Sequence, residues 1–197
     1  MQYVLVAPDD IAISSSIMVL PKLKRKYQIR DFDGKVLGSI TEYLAKKTIH
    51  AFEDDRGNKL GETRYGSKAG WNRVKISIYD SFNEPRGNIT GGAVNSNCGI
   101  ATYPAYALED ALGQPKAITD PFTIKTPRGH TAGVFENLRK DGLSIRAPDG
   151  NIVATLKAGS TFDAIQIDLF SSSIDQLSIL CLIMTVIWMK PYDPGRK

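Results

Sequence analysis

The sequence predicts an all-β protein in which about twelve strands form a closed barrel around one C-terminal apolar helix. Three observations lead to this prediction. The segment 173–190 is apolar on every side, short strand-like stretches joined by turns precede it, and an eight-residue turn pattern recurs six times. A helix without a polar face must be buried in protein or lipid, and a closed sheet can line it on all sides. We expect residues 1–197 to form a single domain.

The central helix is predicted over 173–190, where both ends carry helix signals. Ser173 is followed three residues later by a glutamine, as in a capping box. Asp175 and Lys190 have the charges that suit the two ends of the helix dipole. Pro191 then stops the helix.

The length of the apolar run separates two interpretations of this helix. A helix that spans a bilayer needs about 20 apolar residues, whereas a run of about 10–14 is typical of a buried core helix. Leu177 to Met189 falls in the shorter class and favours a core helix. A membrane anchor is the alternative, since Lys190, Arg196 and Lys197 form a basic tail.

The repeated unit has eight residues, with Gly or Asn at its fourth place and Gly or Ala at its eighth. Gly and Asn tolerate the positive φ that tight turns need, and a small eighth residue suits a close backbone approach. Six units predict six hairpins, hence about twelve strands. The units begin at Asp31, Asp54, Asp80, Asp110, Thr126 and Ala147, and their fourth residues are Gly34, Gly57, Asn83, Gly113, Gly129 and Gly150.

Strand-like alternation flanks these units, for example at Val74, Ile76 and Ile78. Barrels of about eight strands are filled by their own side chains, so enclosing a helix requires more strands. Before the first unit, possible strand positions are Ile11, Ile13, Ile17, Val19 and Leu20. The segment Asn88 to Pro104 breaks the rhythm and predicts a long loop at a barrel rim.

Two stretches resemble a known group of proteins. Tyr27 to Gly38 (YQIRDFDGKVLG) resembles the opening hairpin of the LURP-one-related and phospholipid scramblase proteins, relatives of the tubby C-terminal domain. Phe162 to Leu169 (FDAIQIDL), running into the apolar helix, resembles their last strand and central helix. The resemblance spans about residues 11–190. It implies a twelve-stranded barrel around a C-terminal helix.

The same resemblance implies a binding role rather than catalysis. Tubby domains bind phosphoinositide headgroups, and scramblases are linked to calcium-dependent lipid movement. Scramblases carry paired acidic residues before the last strand, proposed as calcium ligands, whereas Ala158 to Thr161 has no carboxylate. The resemblance therefore does not extend to calcium-driven scrambling.

Composition and cysteine content point to a cytoplasmic protein, peripheral at a membrane if lipid is the partner. No basic start precedes an uninterrupted apolar run near Met1, so a secretory signal is not predicted. Cys98 and Cys181 do not make a disulfide framework and are interpreted as reduced thiols. The formal net charge of +4 permits an acidic partner.

A basic cluster is the best candidate for a binding site. Basic side chains near an anionic membrane contribute about 1 kcal/mol each, and salt weakens them. The alternative is a solvated edge strand, where lysines block aggregation. Lys68 and Arg73 could extend the patch. The candidate lipid-binding residues are Lys22, Lys24, Arg25, Lys26, Arg30, Lys46 and Lys47.

Metal, cofactor and catalytic sites are not predicted. Asp31, Asp33 and Glu42 match three places of a calcium loop, but Val36 stands where its glycine belongs. The run 53–55 has three carboxylates but no second ligand cluster, which favours a solvated turn. His50 and His130 are the only histidines, and neither lies in a catalytic motif.

The sequence thus predicts a non-enzymatic binding module with an anionic phospholipid surface as its partner. A protein-interaction scaffold that uses 88–104 is the alternative. Nucleic acid is a weaker candidate, because Tyr65, Trp71 and Arg73 offer stacking and cationic groups without a recognition module. Enzyme activity ranks third among the classes considered.

Overall fold

The computed structural model describes residues 2–6, 24–43, 48–65, 73–92, 95–97, 100–125, 137–159, 164–171 and 174–188. These residues are mostly β, with a helical segment at 137–140 and an apolar helix near the end. The strands are β1 (Gln2–Val6), β2 (Lys24–Arg30), β3 (Val36–Tyr43), β4 (Thr48–Asp54), β5 (Lys59–Tyr65), β6 (Arg73–Asp80), β7 (Pro85–Gly92), β8 (Asn95–Asn97), β9 (Ile100–Tyr103), β10 (Tyr106–Asp110), β11 (Pro115–Thr119), β12 (Phe122–Lys125), β13 (Leu143–Arg146), β14 (Ile152–Ala158) and β15 (Ala164–Leu169).

Twelve of these strands follow a circular hydrogen-bonded order, as in a closed barrel. The order runs β1-β15-β14-β13-β11-β10-β7-β6-β5-β4-β3-β2, and β1 also pairs with β2. All these pairings are antiparallel. The remaining strands form a separate sheet in the order β12-β9-β8. The prediction of a mostly β chain with one apolar helix near its end is confirmed.

Five copies of the repeated unit build the same turn. In each, the backbone N–H of the fourth residue donates to the carbonyl oxygen of the first residue. The backbone N–H of the first residue donates to the carbonyl oxygen of the fifth, and the N···O distances are 2.8–3.1 Å. The fourth residue has a φ between 68° and 86°, in the left-handed region. This geometry is a type I turn followed by a bulge, which explains the need for Gly or Asn. The copy at 126–133 lies outside the described residues.

The small residue at the eighth place allows neighbouring hairpins to approach closely. A Cβ built on Gly38, Gly61 or Gly87 would collide with the backbone carbonyl oxygen of Glu53, Tyr79 or Glu109, respectively. Each of these carbonyls belongs to the adjacent strand of the next hairpin. The predicted close approach is therefore confirmed at these three positions.

The C-terminal helix (Gln176–Trp188) is almost entirely buried and contacts β5, β7 and β10. Seven consecutive residues, 181–187, are at most 2% exposed, so no helix face in this stretch is in water. The side chain of Leu177 lies beside Gly61 on β5. Thr185 donates its hydroxyl to the Cys181 carbonyl oxygen at 2.9 Å, which satisfies a polar group inside the core. In the described part of the chain, no helix has the length and apolarity needed to cross a bilayer.

The predicted start of this helix at Ser173 is wrong. Ile174 and Asp175 are not helical, and the carboxylate of Asp175 accepts a hydrogen bond from the Ser178 N–H at 2.9 Å. Asp175 is therefore the N-cap, because its oxygen satisfies an amide that has no partner within the helix. Ser173 and the predicted end at Lys190 lie outside the described residues.

The predicted loop from Asn88 to Pro104 is also wrong. Residues 88–92 belong to β7, while β8 and β9 lie in the separate sheet. Ile89 is fully buried and Gly91 packs against the ring of Tyr106, so the Gly-rich stretch continues the strand. The candidate strand positions between Ile11 and Leu20 lie outside the described residues, whereas β1 at 2–6 was not predicted.

Candidate functional site

The two ends of the barrel differ in their connections. The five tight turns at 31–35, 54–58, 80–84, 110–114 and 147–151 meet at one end, which we call the turn rim. Because the strands are antiparallel, their other ends lie at the opposite end of the sheet, which we call the loop rim. Lys24, Tyr43, Thr48, Tyr65 and Arg73 are the strand ends that form one side of the loop rim.

The basic cluster predicted from the sequence begins at this side of the loop rim. Lys24 and Arg25 start β2, and their backbones pair with Tyr43 and Glu42 of β3. Lys22 and the side chains of Lys24 and Arg25 lie outside the described residues. The backbone alone therefore places two of the predicted basic residues at the rim.

Two further basic segments connect strands at the same side. Lys46 and Lys47 lie between Tyr43 and Thr48, and Lys68 lies between Tyr65 and Arg73. These three lysines lie outside the described residues, but the strand ends that flank them are at the loop rim. Since adjacent strands are about 4.8 Å apart, β2 to β6 span roughly 20 Å of this rim. The fold brings the ends of three basic segments to one side.

Lys26 and Arg30 stand apart from this group. Lys26 is on the outer face of β2, and its Nζ lies 3.4 Å from Glu53 Oε2, so its charge is partly compensated. Arg30 ends β2 at the turn rim and donates to Gln28 Oε1. Six residues of extended strand, about 20 Å, separate Arg30 from Lys24. Lys24 and Arg30 therefore lie at opposite ends of the barrel wall, because β2 runs along it.

Three of the carboxylates considered for metal binding, Glu42, Glu53 and Asp54, make contacts within the fold. Glu42 is buried, and Tyr27 donates to its Oε2 at 2.9 Å. Glu53 accepts from Ser39 at 3.1 Å as well as pairing with Lys26. Asp54 Oδ1 accepts the Asn58 N–H at 2.7 Å, and the hydrogen bonds from Asn58 lower the pKa of Asp54. Among the described residues, no three His, Cys, Asp or Glu side chains could hold a metal ion.

A buried polar cluster that the sequence did not reveal lies inside the barrel near the loop rim. Besides Tyr27 and Glu42, it contains His50 and Thr63, whose Nδ1 and Oγ1 atoms are 3.0 Å apart. The Thr63 Oγ1 also accepts the His50 backbone N–H at 3.2 Å. Within the described structure, His50 Nε2 has no hydrogen-bond partner. The imidazole is 2% exposed, and burial lowers its pKa to about 4.

This environment keeps His50 neutral and inaccessible to solvent. Cys181 is fully buried in the helix, and burial together with Asp175 raises the pKa of its thiol well above the usual range. A buried protonated thiol is a poor nucleophile. Cys98 and His130 lie outside the described residues. The described His and Cys side chains are thus part of the core.

Acidification is expected to destabilise the protein through His50. Its pKa is about 6.5 when unfolded and about 4 when folded, so between these values the unfolded state binds more protons. Stability therefore falls as pH drops from 6.5 to 4, by a total of about 3 kcal/mol. Urea unfolding at several pH values measures this slope.

A His50→Gln variant provides the control for the pH dependence. It should remove most of the slope between pH 6.5 and 4.5. The turn aspartates, whose pKa values are lowered, contribute at lower pH. An unchanged slope in the variant would assign the effect to other groups.

A shallow polar cleft lies where β11 leads into β12. Its volume is about 360 Å³, and Asp120, Asn137, Asp141 and Ser144 contribute polar groups to its lining. The carboxylate of Asp120 accepts from Arg146 Nε at 3.2 Å. This ion pair occupies one of the two cleft carboxylates, and the remaining groups do not form a recognisable catalytic set.

Comparison with known proteins adds no relative. The chain matches no family model, no curated protein and no solved structure.

Proposed function

We propose that the protein is a non-enzymatic binding module that engages an anionic phospholipid surface through the loop rim between β2 and β6. The observation that supports the proposal is that the strand ends flanking three basic segments lie side by side at this rim. Lys24 and Arg25 begin β2, and the strand ends that flank Lys46, Lys47 and Lys68 belong to neighbouring strands. The protein would sit peripherally at the cytoplasmic face of a membrane.

The energetics of this surface suit reversible binding. Each lysine or arginine near an anionic bilayer contributes about 1 kcal/mol, and the contribution falls off within a Debye length. In addition, Tyr65 ends β5 at this rim with 56% of its surface exposed. Tyrosine suits the boundary between water and lipid, because its ring is apolar and its hydroxyl polar.

The charge of the opposite end supports an orientation with the loop rim towards the membrane. The five described turns contain many more carboxylates than basic residues, so an anionic surface would repel the turn rim. Arg30 belongs to that end and is excluded from the proposed site. Lys26 lies on the barrel wall and contributes less, since Glu53 pairs with it.

The resemblance to scramblase and LURP-one-related proteins supports the same class of function. The resemblance does not include the proposed calcium ligands of scramblases, because Ala158 to Thr161 lacks their acidic pair. We therefore propose that binding does not require calcium. The alternative of a protein-interaction scaffold loses its original surface, since 88–104 is largely strand.

Flotation with vesicles tests the proposal. The protein should float with phosphatidylserine-containing vesicles, not with neutral phosphatidylcholine vesicles, and calcium should make no difference. Raising salt should release it. Changing Lys24, Arg25 and Lys26 together to glutamine should lower the partition coefficient by about 30- to 100-fold, since two charges of about 1 kcal/mol each and the smaller contribution of Lys26 are lost.

A matched triple variant controls for net charge. Lys35→Gln, Arg56→Gln and Lys116→Gln remove three positive charges at or near the turn rim and should leave vesicle binding close to that of the wild type. Equal losses in the two variants would show that only net charge matters. Unchanged binding in the β2 variant would exclude that part of the rim.

A further inference from the structure

The turn rim displays large apolar side chains at places where the turns do not need them. Phe82 and Leu112 both occupy the third place of their units and are 84% and 86% exposed. The turn uses only their backbone N–H groups, each of which donates to the first-place aspartate at 2.9 Å. Arg56 fills the same place in another copy and makes the same contact. The fold therefore does not require Phe or Leu at these tips.

The two tips are neighbours on the barrel. β7 pairs with β10, with Gly87 opposite Asp110, so the hairpin of Phe82 lies beside that of Leu112. Two strand spacings separate equivalent points of adjacent hairpins, which is roughly 10 Å. Phe32, on another hairpin, and Phe170, after β15, are also exposed, at 55% and 63%. Neighbouring exposed apolar side chains such as Phe82 and Leu112 mark interaction surfaces.

The turns of this rim together carry more carboxylates than cations, although cations pair with the two carboxylates beside Phe82 and Leu112. The carboxylates at first places are fixed by the turns, and hydrogen bonds from Glu84 and Gln114 amides lower the pKa of Asp80 and Asp110. Arg86 and Lys116 pair with these two at 3.0 and 3.6 Å. The five turns hold two cations, Lys35 and Arg56, against eight carboxylates: Asp31, Asp33, Asp54, Asp55, Asp80, Glu84, Asp110 and Asp149.

We infer that the turn rim is a docking surface for a partner protein that presents a basic amphipathic segment. Apolar side chains of the segment would pack on Phe82 and Leu112, and its lysines or arginines would face the carboxylates. Aromatic residues, including phenylalanine, are enriched in the cores of protein–protein interfaces, which a polar rim surrounds. This surface is at the opposite end from the proposed membrane site, so both could be occupied together.

Other occupants fit this surface less well. An anionic bilayer or a nucleic acid would meet eight carboxylates, and a second copy of the same rim would bring like charges together. Head-to-tail contact with the loop rim of another copy is electrostatically allowed. Such a head-to-tail contact does not form a closed oligomer, and it would produce open filaments whose length depends on protein concentration.

Titration of the full-length protein with designed peptides tests the inference. The probe is a helical peptide with leucines at i, i+3, i+4 and i+7 and lysines elsewhere, compared with a glutamate–leucine and a lysine–serine peptide of the same pattern and length. Backbone amide shifts should change at the turns of Phe82 and Leu112 with the lysine–leucine peptide only. Phe82→Ser with Leu112→Ser should weaken binding at least about tenfold, because two apolar anchors are lost.

Matched variants separate this surface from general stickiness. Ile100→Ser with Ile118→Ser removes partly exposed apolar groups away from the turn rim and should leave affinity unchanged. Asp33→Asn, Asp55→Asn and Glu84→Gln together should weaken binding and reduce its salt dependence. Absence of peptide binding at millimolar concentration, shifts centred on the loop rim, or equal loss in both apolar variants would overturn the inference. Self-association of the free protein through this rim would overturn it too.

Discussion

Truncating Leu182 to alanine is expected to lower the free energy of unfolding by about 2–5 kcal/mol, as large-to-small changes in a packed core do. Leu182 is fully buried in the C-terminal helix, between Cys181 and Ile183, which are also at 0% exposure. The strands that contact the helix, β5, β7 and β10, are each hydrogen-bonded on both sides, which limits how far they can move inward to fill the cavity. Urea unfolding followed by tryptophan fluorescence measures the change.

Leu180→Ala in the same helix is the control for this prediction. Leu180 is only partly buried. Both variants replace leucine with alanine in the same helix, so the change in helix propensity is the same. We therefore expect a smaller loss of stability than at Leu182. Equal losses of unfolding free energy at the two positions would contradict this prediction, because the depth of burial would then not determine the loss of stability.

The turns show which part of the fold a local sequence pattern can predict. Gly34, Gly57 and Asn83 were recognised because positive φ restricts the residue type directly, whatever the rest of the chain does. The eighth-place glycines carried a second local signal, and the carbonyls of Glu53 and Tyr79 explain it. Features fixed by the chemistry of a few adjacent residues were therefore predictable.

Features that depend on distant partners were missed. Gly91 was interpreted as part of a loop, but the ring of Tyr106 on a neighbouring strand covers the space left by its missing side chain. β1 pairs with β15 at the other end of the chain, so no local pattern identifies it. The buried bond between Tyr27 and Glu42 likewise forms only when β2 pairs with β3.

The candidate binding surfaces depend on strand direction as well as on composition. The sequence identified the basic cluster from Lys22 to Lys26, but it could not show that Arg30 lies about 20 Å away along the same strand. The aspartates of the turns are far apart in sequence and meet at one rim because each hairpin returns the chain to it. Segregation of charge between the two ends is thus a property of the topology.

Replacing Gly61 with valine is expected to destabilise the protein by about 4 kcal/mol, near the upper end for single substitutions. A Cβ at this position would collide with the Tyr79 carbonyl oxygen and would lie 2.7 Å from Leu177 Cδ2. The first contact forces β5 and β6 apart, and the second requires the Leu177 side chain to move. Thermal and urea unfolding should both show the loss, with a sharp drop in the yield of folded protein.

Gly57→Ala distinguishes this steric effect from backbone strain. Gly57 has a φ of +82°, but nothing lies within 4 Å of an added Cβ. Alanine there should cost about 1–2 kcal/mol, because only the left-handed conformation is penalised. If Gly61→Val cost no more than Gly57→Ala, the hairpins would tolerate separation at the eighth place. Gly61 lies against both β6 and the Leu177 side chain of the helix. We therefore expect Gly61→Val to weaken the pairing of β5 with β6 and the packing of the helix.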